Sequence, residues 1–299
     1  MEGLMKIKNN IRDFLRNHDE IVGPVLRFCW CFIVFFTIRQ LFGYSEIMSR
    51  PAVIFLMAVL CSVLPDGFLF FVGGIVMAVN SFAVTMEAGA VFIVLFILVY
   101  CFYVKFFPRY AYAVMLMMVC YLLHIPYAAP IILGLVAGIG GMIPAASGIV
   151  LYYFADTLRE ISKLPALESE ADQLKSVELI VNTFSGNKEM FAAILIACVT
   201  VLVTGLIKKF SFDYSMYVAI AAGAITNILM AVVAGAVLSA NVDILPVVLG
   251  TLVGIVAAFV VRIFMGFLDY QHTEHVEYED DDYYYYVKAV PKLDSEKQD

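Results

Sequence analysis

The sequence predicts an all-α fold, a polytopic bundle of transmembrane helices. Of its 299 residues, 63% are hydrophobic and only 15% are charged, which lies outside the range of soluble proteins. Apolar runs long enough to cross a hydrocarbon layer of ~30 Å recur between Gly23 and Leu268. These runs are apolar on every side, whereas the strands of a membrane barrel alternate apolar and polar residues. A bundle of helices embedded in the lipid bilayer is therefore expected.

The leader, residues 1–22, is predicted to be an amphipathic helix on the cytoplasmic surface of the membrane. Leu4, Ile7 and Ile11 recur at helical spacing, and basic residues lie mostly elsewhere around the helix. An ordinary solvated leader is the alternative.

Residues 23–155 are predicted to form transmembrane helices with two interrupted pairs. Unbroken spans are expected at 23–43, 88–106 and 110–124. The interrupted pairs occupy 51–83, around Pro65-Asp66-Gly67, and 128–155, around Gly140 to Pro144, because proline beside glycine interrupts a helix. Each half is short for a crossing, so a pair is either two short, deeply packed crossings or a re-entrant hairpin.

The second half of the chain predicts an external segment followed by three spans. Residues 156–188 are polar and contain apolar positions at helical spacing, which indicates an amphipathic helix. Ser169 is placed to start this helix, and Ser185-Gly186-Asn187 to end it. Residues 189–268 hold three transmembrane helices, predicted at 189–207, 214–239 and 244–268.

The positions of Lys and Arg predict the orientation, because positive charge is enriched on the cytoplasmic side. The leader, Lys105 with Arg109, and Lys208 with Lys209 are all cytoplasmic if each interrupted pair begins and ends outside. A multi-pass protein of the cell membrane with both termini cytoplasmic is therefore expected. Arg50 and three cations of the external segment, Arg159, Lys163 and Lys175, run against the rule.

Little in the sequence favours catalysis or a cofactor. All six cysteines lie inside apolar runs without metal-ligand spacing, so no metal site is expected. The chain has no phosphate loop, dinucleotide fingerprint, HExxH motif or nucleophile elbow, and no concentrated basic face for nucleic acid. Neither an enzyme nor a nucleic-acid partner is therefore predicted.

Polar or backbone-permissive positions inside apolar runs are the candidates for a substrate or ion pathway. Asp66 lies at the first interruption and is either a ligand for a cation or the cap of the second half-helix. Asn227 lies near the centre of a span and contacts either a substrate or another helix. The remaining candidates are Asn80 and His124, which lie at predicted span ends, and Gly138, Gly140 and Gly141 in the glycine-rich second interruption.

The tail, residues 269–299, is acidic, rich in tyrosine and predicted to be cytoplasmic. From Asp269 to the C-terminus, ten Asp and Glu oppose three Lys, which accounts for the whole net charge of −7. Tyr283 to Val290 is strand-prone. Tyr283, Tyr284, Tyr285 and Tyr286 are therefore candidates for binding a cytoplasmic protein partner or a second copy through strand addition, and a disordered tail is the alternative.

The tail also carries a family resemblance. Its tyrosine run followed by Val287 to Lys292, together with Phe212-Asp213-Tyr214 at the penultimate span, resembles a bacterial family of uncharacterised polytopic membrane proteins, sometimes labelled as transporter permeases. The resemblance assigns no functional residues.

Two functions are therefore carried forward. The interrupted pairs favour a transporter or permease-like protein, because freed backbone groups at membrane depth can line a polar site. The alternative is a non-transporting scaffold, or a subunit of an envelope complex, that recruits partners through its tail.

Overall fold

The computed structural model describes residues 19–64, 66–106, 111–163, 170–210, 214–265, 274–279 and 284–289. Between Asp19 and Met265, every regular element of the described residues is a helix. The α-helices are α1 Asp19–Phe42, α2 Pro51–Val63, α3 Asp66–Phe82, α4 Met86–Phe106, α5 Ala111–Leu122, α6 Ala129–Val136, α7 Met142–Ile161, α8 Glu170–Ser185, α9 Lys188–Lys208, α10 Ser215–Leu238 and α11 Ile244–Met265. Two 3₁₀ turns, Pro126–Ala128 and Gly138–Gly141, flank α6.

Among the described residues, five helices are long and apolar enough to cross a membrane. They are Val22–Phe42, Gly138–Ile161, Lys188–Lys208, Ser215–Leu238 and Ile244–Arg262. Their outward faces carry large apolar side chains, such as Val237 and Leu245, which are 72% and 71% exposed. A bundle that exposes side chains of this kind is suited to lipid. The predicted class, a helical membrane bundle, is confirmed at this level.

The second interrupted region differs from the prediction of two similar halves. Helix α6 has only eight residues, whereas the 3₁₀ turn and α7 form one apolar segment of 24 residues, Gly138–Ile161. Pro144 does not break α7, because it is the third residue of the helix, where a missing N–H is tolerated. The interruption instead lies at Gly138, whose φ of +61° favours glycine.

Helix α7 continues past the boundary predicted at residue 155. Residues 156–161 are its last residues, and Thr157 and Leu158 are buried. The predicted amphipathic segment does contain a helix, α8, which ends at Ser185. Gly186 then donates its N–H to the carbonyl of Asn182 at 2.8 Å, and the Asn187 side chain caps α9 by accepting from the Met190 N–H at 3.1 Å.

The first half of the bundle has an aromatic core. Helix α1 packs against α2, α3 and α5, while α4 packs against α3 and α7. The fully buried ring of Phe92 on α4 lies 5.8 Å from that of Phe42 and 5.3 Å from that of Phe154. Such contacts fix the helices of this half through large side chains.

The second half is built on small residues, with α9 packed against α6, α7 and α10. A Cβ atom added at Gly134 of α6 would lie 2.6 Å from the Thr204 Cβ of α9, and one added at Gly205 would lie 2.7 Å from the backbone of Gly138 and Ile139. Glycine at these positions lets helix backbones approach closely, which is typical of membrane helix pairs.

The tail belongs to a separate unit, Val261–Asp299. Its strands β1, Glu274–Glu279, and β2, Tyr284–Ala289, form an antiparallel pair with Val276 opposite Val287 and Tyr278 opposite Tyr285. The predicted strand around Tyr284, Tyr285 and Tyr286 is thus formed and is paired within its own chain. Tyr283 lies outside the described residues.

Candidate functional site

A polar cavity of about 520 Å³ lies where the C-terminal ends of α1 and α7 meet the loop that follows α1. We call it the arginine vestibule. Its lining includes Arg39, Gln40, Tyr44, Ser49, Arg159 and Ser162. A volume in this range is typical of a small-molecule site, and the lining contains hydrogen-bond donors and two cations.

The charge of the arginine vestibule is positive. Arg39 occupies the last turn of α1 and is partly buried, while Arg159 occupies the last turn of α7 and is exposed. Each guanidinium is stabilised by the partial negative charge at its helix C-terminus, which explains the two positions individually. Placing both beside one cavity, whose described lining contains no carboxylate, also provides planar donors suited to a carboxylate or phosphate.

Ser49 connects the vestibule with a smaller cavity beneath it. This second cavity is also lined by Arg39 and Asn80, and its volume of about 10 Å³ is roughly that of one water molecule. The Ser49 Oγ is buried and has no hydrogen-bond partner among the described residues. A buried polar atom of this kind calls for an ordered water, for which the smaller cavity has room.

Asn80, one of the predicted pathway residues, holds the loop that forms one wall of the vestibule. Its side-chain oxygen accepts from the Ser45 N–H at 3.0 Å, and its side-chain nitrogen donates to the carbonyl of Val76 at 2.8 Å. Asn80 is 1% exposed, so a direct contact with solute would need this wall to open. In this arrangement it positions the loop.

Asn227 joins three helices and a 3₁₀ turn in the second half. Its side-chain nitrogen donates to the Tyr127 carbonyl at 2.8 Å and to Thr251 Oγ1 of α11 at 3.0 Å. Thr200 of α9 donates to its side-chain oxygen at 3.4 Å. Asn227 is fully buried, and these bonds correspond to the helix-packing alternative of the sequence analysis.

The second interruption lies in a closely packed junction, although a Cβ atom added at Gly138 itself would meet nothing within 4 Å. Gly205 of α9 lies directly against Gly138, and a Cβ atom added at Gly141 would lie 3.2 Å from that of Ala137. Gly140 is partly buried in the same 3₁₀ turn. Lys208 donates to the carbonyl of Leu135 in the last turn of α6, where a cation is favourable. This region is a packed junction.

The other predicted residues lie apart from these groups. Asp66 is the first residue of α3, and its side chain lies outside the described part, so both of its predicted roles stay predictions. His124 is exposed in the turn after α5, with a φ of +60°, and its Nδ1 lies 3.0 Å from the carbonyl of Leu122. The predicted candidates therefore do not share one site.

Sequence reasoning missed the arginine vestibule, because Arg39, Ser49 and Arg159 are separated by up to 120 positions (159 − 39) and form no motif. One signal was present: Arg159 runs against the charge rule that set the predicted orientation.

Comparison with models of protein families, with curated proteins and with solved structures found no match for this chain. The family resemblance of the tail therefore stays a prediction.

Proposed function

We propose that this protein is a permease-like membrane protein that admits a small anionic solute through the arginine vestibule. The observation that carries the proposal is the pair of helix-terminal arginines, Arg39 and Arg159, beside a polar cavity that also borders the buried, unpartnered Ser49 Oγ. Two guanidinium groups and nearby hydroxyls form the chemistry that recognises carboxylates and phosphates.

The predicted orientation supports this function. It places the ends of α1 and α7 on the outer side, where arginine is less frequent than on the cytoplasmic side. The membrane topology therefore does not explain why two arginines line one cavity at that end, and a role in binding anions does. The vestibule would collect anions from the external solution and raise their local concentration.

In this proposal the interrupted pairs do not form the solute site that the sequence analysis assigned to them. Each interrupted pair borders a cavity in the described part of the chain, and both cavities are lined almost wholly by apolar side chains. The solute contact is therefore assigned to the vestibule and not to Asp66 or the glycine-rich turn. Helices α2 and α3, as a re-entrant hairpin, would carry the vestibule loop at one end.

Flux through purified protein in liposomes tests the proposal, with radiolabelled inorganic phosphate and succinate as separate probes. Saturable uptake of at least one probe is expected. In the double variant Arg39→Gln/Arg159→Gln, uptake at low probe concentration should fall at least about tenfold, because hydrogen bonds to charged groups contribute about 1.5–3 kcal/mol each.

Arg50→Gln is the matched control. Arg50 is exposed just before α2 and is absent from the described lining of the vestibule, so its loss should leave uptake within about twofold. Absence of saturable uptake of both probes, or an equal loss in the control, would refute the proposal.

A second function, a membrane scaffold, is favoured by the tail. The β1–β2 pair is a two-stranded sheet, so each strand has an outer edge that pairs with no other strand among the described residues. Such edges accept an added strand from a partner or a second copy. Capture of one stoichiometric partner by the full chain but not by a chain lacking residues 276–299, without anion flux, would favour this function.

A further inference from the structure

A second large cavity lies at the opposite end of α1 from the arginine vestibule. It is a groove of about 460 Å³ formed by α1, α2, α3 and α5. Its lining is almost wholly apolar and includes Leu26, Arg27, Trp30, Cys61, Leu69 and Leu116. Leu26 is 58% exposed, so the groove opens onto the apolar outer surface of the bundle.

A cation accompanies this apolar surface. Arg27, one turn before Trp30 on α1, is exposed at the groove. The Trp30 side chain lines the groove, while its indole Nε1 is buried within the protein. The groove thus combines an apolar channel with a cation.

We propose that the groove binds one anionic phospholipid from the bilayer. Its acyl chain fills the apolar channel along the Trp30 side chain, and its phosphate lies against Arg27. Arg27 lies one turn nearer the start of α1 than Trp30, and its long side chain can extend toward the membrane interface, where the phosphate of a lipid lies. Trp30 lies deeper, at the level of the acyl chain. A lipid therefore matches both the apolar channel and the cation.

Charge also favours this occupant over the nearest segment of the chain. The leader, residues 1–22, balances four cations with the carboxylates of Glu2, Asp13, Asp19 and Glu20, so it offers Arg27 no net attraction, whereas the phosphate of the lipid is anionic. The predicted orientation places the start of α1 on the cytoplasmic side, where anionic lipids are enriched.

Trp30 is the only tryptophan of the chain, so tryptophan fluorescence reports directly on the groove. The full chain is reconstituted in phosphatidylcholine vesicles that contain increasing fractions of brominated phosphatidylglycerol, and in parallel with brominated phosphatidylcholine. Bromine quenches tryptophan at contact. Quenching by the anionic lipid should saturate at a mole fraction at least about threefold lower than quenching by the zwitterionic lipid, as expected when a charged contact adds to apolar burial.

Three variants sharpen this test. Arg27→Gln should remove the preference for the anionic lipid while leaving fluorescence and helix content unchanged. Lys209→Gln, which removes an exposed positive charge from the same predicted side, should keep the preference. Leu116→Phe narrows the groove and should reduce quenching by both lipids.

Three outcomes would overturn the assignment. Equal quenching by the two lipids in the unmodified chain would show that the groove makes no selective lipid contact. Loss of the preference in Lys209→Gln to the same extent as in Arg27→Gln would show a general surface charge effect. No quenching by either lipid would show that protein fills the groove.

Discussion

The two interrupted regions of this bundle carry the same sequence signal, proline with neighbouring glycine, and have opposite surroundings. Around the first interruption, a Cβ atom added at Gly67 would meet nothing within 4 Å, and a groove of about 460 Å³ borders Cys61 and Leu69. At the second, a Cβ atom added at Gly138 would also meet nothing within 4 Å, but Gly205 of α9 lies against the Gly138 backbone and Lys208 binds the end of α6.

This difference teaches that an interrupted helix does not by itself mark a pathway. Freed backbone groups at membrane depth need partners, and these are provided either by a polar cavity or by close packing against other helices. In the second region, the packed helices provide the partners. Asn227 donates to the carbonyl of Tyr127, and Lys208 donates to that of Leu135. The described cavity beside this second region is apolar, and the polar vestibule lies at the C-terminal ends of α1 and α7.

The strongest test of the comparison is alanine substitution of one glycine in each region. Gly205→Ala should lower the free energy of unfolding by about 2 kcal/mol, because its methyl group would lie 2.7 Å from backbone atoms that cannot rotate away. Gly67→Ala, in the first turn of α3, should raise it by roughly 0.5 kcal/mol through helix propensity. Unfolding in mixed micelles with rising dodecyl sulfate measures both. Similar effects at the two positions would remove the distinction between an open and a packed interruption.

A smaller effect is expected from the buried amide of the second half. Asn227→Leu should cost about 1–2 kcal/mol, because the Tyr127 carbonyl loses its donor in a region closed to water. Thr200→Val, its control, removes only the long 3.4 Å bond and should cost less than about 0.5 kcal/mol. The same dodecyl sulfate titration compares them. An unfolding curve of Asn227→Leu that matches the unmodified protein would show that packing alone holds α10 in place.

The smallest effect on global stability belongs to the amide of the first half. Asn80→Leu should lower the free energy of unfolding by about 1 kcal/mol, because the Ser45 N–H loses its acceptor. The loss should destabilise mainly residues 43–50. Hydrogen–deuterium exchange should therefore accelerate in this loop and stay unchanged in the peptide that covers α10. Protection of the loop in the variant would mean that other contacts hold the vestibule wall.

Much of the fold could be predicted from the lengths of the apolar runs in the sequence. The long apolar runs predicted at 189–207, 214–239 and 244–268 lie within or close to α9, α10 and α11, since a segment of about 20 apolar residues has few alternatives to a helix in lipid. The end of α7 could not be predicted in this way, because Asp156, Arg159 and Glu160 indicate a polar segment outside the apolar run. Their helix extends past the apolar run, with Thr157 and Leu158 buried between them.

The position of the second interruption could not be predicted among closely spaced glycines. Only the backbone shows that Gly138, and not Gly140 or Gly141, has the positive φ. The arginine vestibule was equally hidden, because its lining comes from α1, a loop and α7, and a sequence pattern reports only neighbours along the chain. Asn227 is the contrasting case: its buried polar character was readable from composition, although its partners were not.

The hydrogen bond between Asn227 and the Tyr127 carbonyl spans 100 positions and has a consequence for biosynthesis. Ribosomes add about 5–20 residues per second, so the donor emerges roughly 5–20 seconds after the acceptor. During that interval the 3₁₀ turn before α6 lacks the partner that it has in the finished protein. The nascent chain must therefore keep this turn hydrated, or shielded by the insertion machinery, until α10 enters the membrane and completes the junction.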